Sequence, residues 1–333
     1  MINLPINLYL KTTEGCQLQC KHCYNFAKNN SILFFDEDKT IHFLEQCKFD
    51  NTVEASFHGG EPFLCPINKM EKVVEFTKSK FDIYWTATTN LVYKLSDKDI
   101  QFIKNSFIQK SGEVLLITSF DYYLRFSNSQ ELKLWENNVK KLVSEGITVQ
   151  VIVSLDKLTI HTKSIIDFYE YFKSLGVYRF NFERLTFNGN LTNNTSFYPT
   201  NKEVDEWLYK AFLEYEKYNM DIPLFNNVKE SVNGNLLGCR ARQCRNRVIT
   251  INADGTIGTC PNDSKINIIG NINDYDEYTK SSIRFHLITC EQNRNPKCYA
   301  CPYYKYCNGD CCQLKWDDTC PGLHSIYKYL TKR

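Results

Sequence analysis

The sequence predicts an α/β chain: successive parallel βαβ units forming an open sheet or a partial barrel, followed by a cysteine-rich C-terminal segment. Two observations predict it. Strand-like and helix-like patterns alternate through the first 185 residues, at roughly 30 residues per repeat. The 15 cysteines then fall at the two ends of the chain, with none from Pro66 to Gly238 and ten crowded into Cys239–Cys320.

The elements follow in order. "INLYLKTT" alternates apolar residues at Ile6, Leu8 and Leu10, and "VEASF" does so at Val53, Ala55 and Phe57. "IYWTATTN", "VLLITSF", "VQVIVSL" and "YRFNFERL" are the next strands. Between them lie helical patterns. One carries Ile41, Leu44 and Cys47 behind the acidic start Asp36–Asp38, and another carries Met70, Val73 and Val74. Ser96 with Asp99 three residues on is a capping box. Leu132, Trp135, Val139 and Leu142 mark a fourth helix stopped by Gly146, and "SIIDFYEYFKSLG" a fifth stopped by Gly176. "NGNLTNNTSFYP" is a polar, turn-rich boundary before one more amphipathic helix, "NKEVDEWLYKAFLEYEKY". "RVITINADGTIGTC" predicts a hairpin turning at Asp254-Gly255. In either sheet arrangement, the chemistry belongs beyond the C-terminal ends of the strands.

A net charge of +2 over 333 residues gives no global field for nucleic acid or an anionic membrane. No run of eighteen apolar residues and no signal peptide are present, so a cytoplasmic location is expected. There the odd number of cysteines reads as metal binding or catalysis rather than disulfides.

"CQLQCKHC" supplies Cys16, Cys20 and Cys23 just after the first strand. A cubane iron–sulfur cluster has four irons, each normally with a thiolate, so three thiolates leave one iron open. The amino and carboxylate groups of S-adenosylmethionine (AdoMet) can chelate it. The alternative is a zinc site completed by a distant ligand or by His22, although His22 adjoins Cys23 and is badly placed to close the same tetrahedron. The loop resembles the CxxxCxxC signature of the radical S-adenosylmethionine (radical SAM) superfamily in spacing and position. In that family the residue before the third cysteine, here His22, lies by the adenine. "HGGEP" after the second strand stands where the family carries its GGEP motif. The resemblance implies that Gly59 and Gly60 let backbone approach the methionyl ammonium and that Glu61 takes part in its binding. "TTN", ending at Asn90, and "SFD", with Ser119 and Asp121, resemble the ribose and methionyl contact positions; polar strand ends are their plain alternative. Tyr122 departs from the glycine usual after "SFD", and Arg125 stands, at poor spacing, for the arginine that contacts the AdoMet carboxylate.

In the C-terminal third, "CYACPYYKYCNGDC" places Cys298, Cys301, Cys307 and Cys311, with Cys244, Gly255 and Cys260 upstream and Cys320 downstream. This resembles the seven-cysteine signature of the SPASM domain, and Cys239 adds an eighth ligand. The resemblance implies one auxiliary cluster on Cys239, Cys244, Cys260 and Cys311 and another on Cys298, Cys301, Cys307 and Cys320, making three [4Fe-4S] clusters in all. A pair of structural zinc sites is the alternative. With little apolar core, the region is expected to need metal to fold.

The resemblance thus implies a partial (β/α)6 barrel in residues 1–190, a helical linker in 191–237 and a SPASM domain in 238–333. The implied reaction is reductive cleavage of AdoMet and hydrogen abstraction from a peptide or protein side chain or backbone carbon, giving an oxidised or cross-linked peptide. Flavodoxin or ferredoxin is the expected electron donor. The loop begins at residue 16, so a leader-binding domain is not expected within the chain, and a separate leader-binding protein is one alternative. Rivals are anaerobic sulfatase maturation, small-molecule cofactor biosynthesis and a non-enzymatic electron carrier. Asp263 is a candidate base, although formylglycine-forming relatives carry their aspartate directly after the cysteine, where this chain has Pro261. Glu183 and Arg184 are candidate contacts at the barrel mouth. Cys65 and Cys312 are candidate hydrogen-atom donors, with a structural role as the plainer reading; Cys47 and Cys290 read as structural.

Overall fold

A computed structural model describes residues 5–25 and 33–332. Six strands run in parallel: β1 (Ile6–Thr13), β2 (Val53–Gly59), β3 (Ile83–Thr89), β4 (Leu115–Phe120), β5 (Thr148–Leu155) and β6 (Arg179–Arg184). They lie side by side in sequence order. The crossovers carry α1 (Glu37–Gln46), α2 (Ile67–Lys80), α3 (Asp97–Ser106), α4 (Ser129–Ser144), α5 (Lys157–Thr162) and α6 (Ile165–Ser174). Caps fix several helix starts: Asp36 accepts from Lys39 N, and Ser96/Asp99 and Ser164/Asp167 form capping boxes. The short α5, capped by Asp156, has too little apolar periodicity to be legible in the sequence.

One face of the sheet meets the helices. Leu8, Leu10, Val53, Phe57, Trp85 and Phe120 are buried there in one core. Trp85 Nε1 donates to Thr77 Oγ1 on α2, and Trp135 Nε1 on α4 to Thr118 Oγ1 on β4, each satisfying an indole that burial would otherwise leave unpaired. Side chains alternate along a strand, so Tyr9, Lys11, His58, Ser119, Ser154 and Glu183 turn to the opposite face. That face is concave. The loop after β6 hydrogen-bonds the loop after β1, Asn190 to Cys20 and Cys23, although four strands separate β6 from β1 in the sheet, so the sheet curls into a partial barrel.

The hairpin forms as β7 (Val248–Ile251) and β8 (Thr256–Gly258), with Gly255 at φ +82°, and β9 (Gly270–Asn271) pairs with β8. Its sequence does not show where it docks: β7 pairs in parallel with β1, so the sheet continues to nine strands, β6-β5-β4-β3-β2-β1-β7-β8-β9. This segment has more apolar core than its composition suggests. Ile249, Ile251 and Ile257 are buried in it, as are Leu323, Ile326 and Tyr327 near the C-terminal helix His324–Leu330. That helix packs on α7 (Asn201–Tyr218) and α8 (Pro223–Val232). Among the described residues, no helix is long and apolar enough to cross a membrane.

Candidate active site

The three-cysteine loop leaves the C-terminal end of β1 and is pinned from three sides. From β2, Gly60 N donates to Thr13 O (2.9 Å) and Glu61 N to Gly15 O (2.8 Å). From beyond β4, Leu124 O accepts from Lys21 N at 3.0 Å. From beyond β6, Asn190 donates through its backbone N to Cys23 O (2.8 Å) and through Nδ2 to Cys20 O (3.0 Å). Asn190 lies in the polar stretch that the sequence suggests is only a boundary. Its neighbour Gly189, at φ +61°, sits so close that a Cβ would fall 2.1 Å from Cys23 O. No local pattern announces this clamp, because it joins residues 170 apart.

The glycines of "HGGEP" meet the protein itself. A Cβ on Gly59 would lie 2.3 Å from Thr13 O, and one on Gly60 1.9 Å from Gly15 O. On the side where a Cβ would stand, they make room for the backbone that launches the cysteine loop. Glu61 is fully buried and also turned inward. Its carboxylate accepts from Thr89 Oγ1 (2.7 Å), Asn90 N (2.8 Å) and Phe63 N (3.1 Å), fastening the end of β2 to the end of β3. Burial pushes its pKa up to about 7, against those three donors.

Burial raises the Cys16 thiol to about 12 and the Cys20 thiol to about 11. Thiols in such surroundings become thiolates only beside positive charge, which a metal supplies. Arg125 brings a guanidinium there. Although burial opposes its charge, Cys20 and Asp121 hold its pKa up, and its Nε lies 3.3 Å from Asp121 Oδ2. Around the loop, the buried His22 Nδ1 and Gln17 Oε1 stand without hydrogen-bond partners, and Asp121 Oδ2 and Arg125 Nε meet as an ion pair without a hydrogen bond. Buried orphans of this kind cost free energy unless a ligand or water meets them. The donor set therefore fits a metal cluster with a polar ligand beside it. Among the described residues, no three Cys, His, Asp or Glu side chains converge closely enough to hold a single metal ion. A cubane, with its thiolates on separate irons, does not require them to.

His22 reaches across the mouth. Its Nε2 is 3.4 Å from Ser154 Oγ on β5 and 3.6 Å from Asp121 Oδ2, and burial lowers its pKa to about 4. Ser119 lies half-buried on the concave face of β4. Inside the barrel, Tyr24 OH pairs with His58 Nδ1 (3.0 Å), and Lys11 Nζ donates to Asn25 Oδ1 (2.7 Å) and Pro261 O (2.9 Å). Glu183 also points inward, reachable by solvent through the mouth yet walled by protein that raises its pKa. Arg184 turns the other way. Its Nη2 meets Asp310 Oδ2 at 3.0 Å in the C-terminal segment, so it leaves the mouth.

The C-terminal thiols fall into two groups. Cys239 lies close enough to Cys244 and Cys311 for their thiols to shift its pKa, and Cys311 raises that of Cys260. Cys298, Cys301, Cys307 and Cys320 line one cavity of about 180 Å³, together with Trp316 and His324. Buried arginines brace both groups. Arg242 donates to Glu291 O (2.8 Å) and Gly309 O (2.9 Å), Arg245 grips Asp263 through two bonds (3.0 and 2.5 Å), and Arg240 stands 3.6 Å from Asp310. The run "RARQCRNR" carries three of these arginines, and only their burial reveals the role. Both oxygens of Asp263 are thereby held by a guanidinium that stays charged. Cys65, 2% exposed, is packed in the core and does not open to the mouth. Cys312 is exposed, with its thiol raised by the adjoining Cys311. Cys290 is exposed on the helix Ser282–Gln292, 3.3 Å from His286 Nε2, where the sequence suggests a structural cysteine.

Residues 7–139 match the family described as a 4Fe-4S single cluster domain. Two solved structures align over nearly the whole chain or most of it. The structure of anSMEcpe with bound AdoMet and a Cp18Cys peptide superposes with a TM-score of 0.78 at 17% identity, covering 98% of this chain and 95% of that one. Streptococcus suis SuiB bound to the precursor peptide SuiA gives 0.66 at 17% identity, covering 93% and 72%. The chain has the fold of these structures: a parallel α/β barrel with a cysteine-rich C-terminal extension. Within that fold, the three-cysteine loop follows β1, Cys244 and Cys260 flank the β7–β8 hairpin beside β1, and Pro321, next to Cys320, accepts from Arg184 at the end of β6. By sequence, an uncharacterized protein of Methanocaldococcus jannaschii is 34% identical over 94 residues, 27% of this chain and 32% of that protein. The match therefore spans about a third of that relative's length.

Proposed function

We propose that this protein is a radical SAM/SPASM enzyme that modifies a peptide or protein at carbon. The observation that carries the reading is the three-cysteine loop pinned at the barrel mouth, flanked by the unpartnered His22 Nδ1 and the buried Asp121–Arg125 pair and tied through Lys11 to the loop after Cys260. When bound by Cys16, Cys20 and Cys23, a [4Fe-4S] cluster supplies an open iron and the electron that splits AdoMet into methionine and a 5′-deoxyadenosyl radical. The chain's own residues bind and position. Asp121 and Arg125 offer one charge of each sign to an amino acid head group, while His22 and Ser119 face the remainder of the ligand. Glu61 holds the ends of β2 and β3 in register. Tyr9, Tyr24, His58 and Glu183 line the interior, where a substrate side chain meets the radical away from bulk water.

In this reading residues 1–190 form the catalytic barrel, 191–237 a helical linker and 238–333 a two-cluster domain. The second domain's cysteines, Cys239, Cys244, Cys260 and Cys311 with Cys298, Cys301, Cys307 and Cys320, carry clusters that receive the electron left on an oxidised product. A flavodoxin- or ferredoxin-type donor supplies the first electron, and a separate leader-binding protein is a further proposed partner. The bound peptides of anSMEcpe and SuiB support a peptide substrate over a small molecule. Formylglycine formation is the second reading, favoured by the end-to-end superposition on anSMEcpe. Pro261 after Cys260 and the occupied Asp263 weigh against it.

The experiment is anaerobic reconstitution with iron and sulfide, followed by AdoMet and dithionite. Release of 5′-deoxyadenosine supports the reading; a protein that gains iron yet leaves AdoMet intact sinks it.

A further inference from the structure

Asn90, just past β3, is held so that one amide hydrogen faces the sulfur of Cys16. Its Oδ1 accepts from Val92 N (2.8 Å) and from Gln17 Nε2 (2.9 Å). A backbone N–H can only donate, which fixes the oxygen on that side. Gln17 is fixed in turn, because its Nε2 also donates to Val92 O at 2.9 Å. The Asn90 Nδ2 is therefore left on the opposite side, 3.5 Å from Cys16 Sγ. Leu18 N reaches the same sulfur at 3.4 Å. The turn that carries Asn90 is rigid. Its backbone N donates to Glu61 Oε2, Leu91 holds φ +52°, and Asn138 Nδ2 clasps Leu91 O (2.9 Å) and Tyr93 O (2.8 Å).

We propose that Asn90 is a positioning residue whose amide hydrogen bond to Cys16 raises the reduction potential of the N-terminal cluster. This rests on the reading above that Cys16 is an iron ligand. Reduction adds one electron, taken from an external donor, and the charge spreads onto the ligand sulfurs. A donor dipole aimed at one sulfur stabilises that added charge, and hydrogen bonds to sulfur are among the determinants of cluster potentials. The rigid Gln17–Asn90–Val92 arrangement means the dipole is in place before the electron arrives.

Asn90→Asp is the direct test. It keeps the volume and the oxygen that Val92 N and Gln17 need, and it replaces the donor facing Cys16 with an acceptor. The measurement is an anaerobic redox titration of the reconstituted full chain followed by electron paramagnetic resonance. The spectrum of the Cys16/Cys20/Cys23→Ala variant is subtracted to isolate the N-terminal signal. The expected result is a negative shift of the midpoint potential, measured without AdoMet, at wild-type iron content. An unchanged potential with the cluster present overturns the proposal, as does a loss of AdoMet affinity without a potential shift, which would make Asn90 a ligand contact. Because Asn90→Asp also adds negative charge, which lowers the potential by itself, it is measured beside Gln17→Leu, which adds none. It leaves Cys16 and Asn90 chemically intact but unlocks the amide, and a smaller negative shift is expected; no shift overturns the proposal. Wild-type protein that reconstitutes no cluster on the loop defeats the functional reading itself, and the inference with it.

Discussion

Lys11 Nζ donates to the carbonyl oxygen of Pro261 at 2.9 Å, across 250 residues of sequence. The same nitrogen bonds Asn25 Oδ1, two residues past Cys23, while Pro261 directly follows Cys260. One buried ammonium thus joins the loop proposed for the catalytic cluster to a loop proposed for an auxiliary one. Burial lowers its pKa to about 8, with Lys265 acting the same way and Glu14 opposing. Lys11→Met removes both bonds and keeps the aliphatic stem. Amide hydrogen exchange should accelerate at residues 260–264 while β4 and β5 stay unchanged. Unaltered exchange at 260–264 would show that β7 pairing alone holds the hairpin.

Glu61 provides a pH test. Its folded pKa of about 7 lies above the usual carboxylate value, so the folded state keeps a proton that the unfolded chain has lost. Stability from this group is complete below about pH 4.5 and falls as pH rises to about 7, by ~3 kcal/mol in total. Glu61→Gln has no such titration, although its amide nitrogen would face Asn90 N–H at a cost of about 1–3 kcal/mol. The gap in melting temperature between wild type and variant should narrow from pH 5.5 to pH 7.5. Parallel profiles would contradict the assignment.

Gly189→Ala tests the clamp behind the cysteine loop. A Cβ there collides with backbone of Cys23 and Tyr24 in a conformation that non-glycine residues rarely adopt. Iron should fall by about four atoms per chain, the content of one cubane, while the C-terminal clusters survive. Full iron content in a folded variant would mean that the loop has room to move.

Arg245→Met leaves the Asp263 carboxylate buried without its partner, a change that typically costs ~3–5 kcal/mol. Limited proteolysis should then cut preferentially within 238–322, with the β1–β6 barrel protected. The double change Arg245→Met with Asp263→Leu should recover much of the loss.

Much of this architecture is legible in the sequence because local rules agree. Strand alternation, the capping box at Ser96 and the Asp254-Gly255 turn all act within a few residues. Long-range placement is not legible. Nothing in "NGNLTNN" shows that Asn190 grips Cys20 and Cys23, and nothing in "RVITI" shows that β7 docks on β1. The arginines of "RARQCRNR" look like surface charge until their partners, Glu291, Asp263 and Asp310, are seen folded around them. Spacing marks the motif residues, while their contacts within the protein are long-range: Gly60 and Glu61 bond the backbone that launches the cysteine loop, and the Glu61 carboxylate bonds the end of β3.

The central claim is that Cys16, Cys20 and Cys23 alone supply the cluster that activates AdoMet. The measurement is iron analysis and 5′-deoxyadenosine formation on the same preparations of wild type and of the Cys16/Cys20/Cys23→Ala variant. Iron should fall from about twelve to about eight atoms per chain, at four per cubane, and 5′-deoxyadenosine formation should cease. Iron unchanged from wild type, or continued AdoMet cleavage by the variant, would contradict the account.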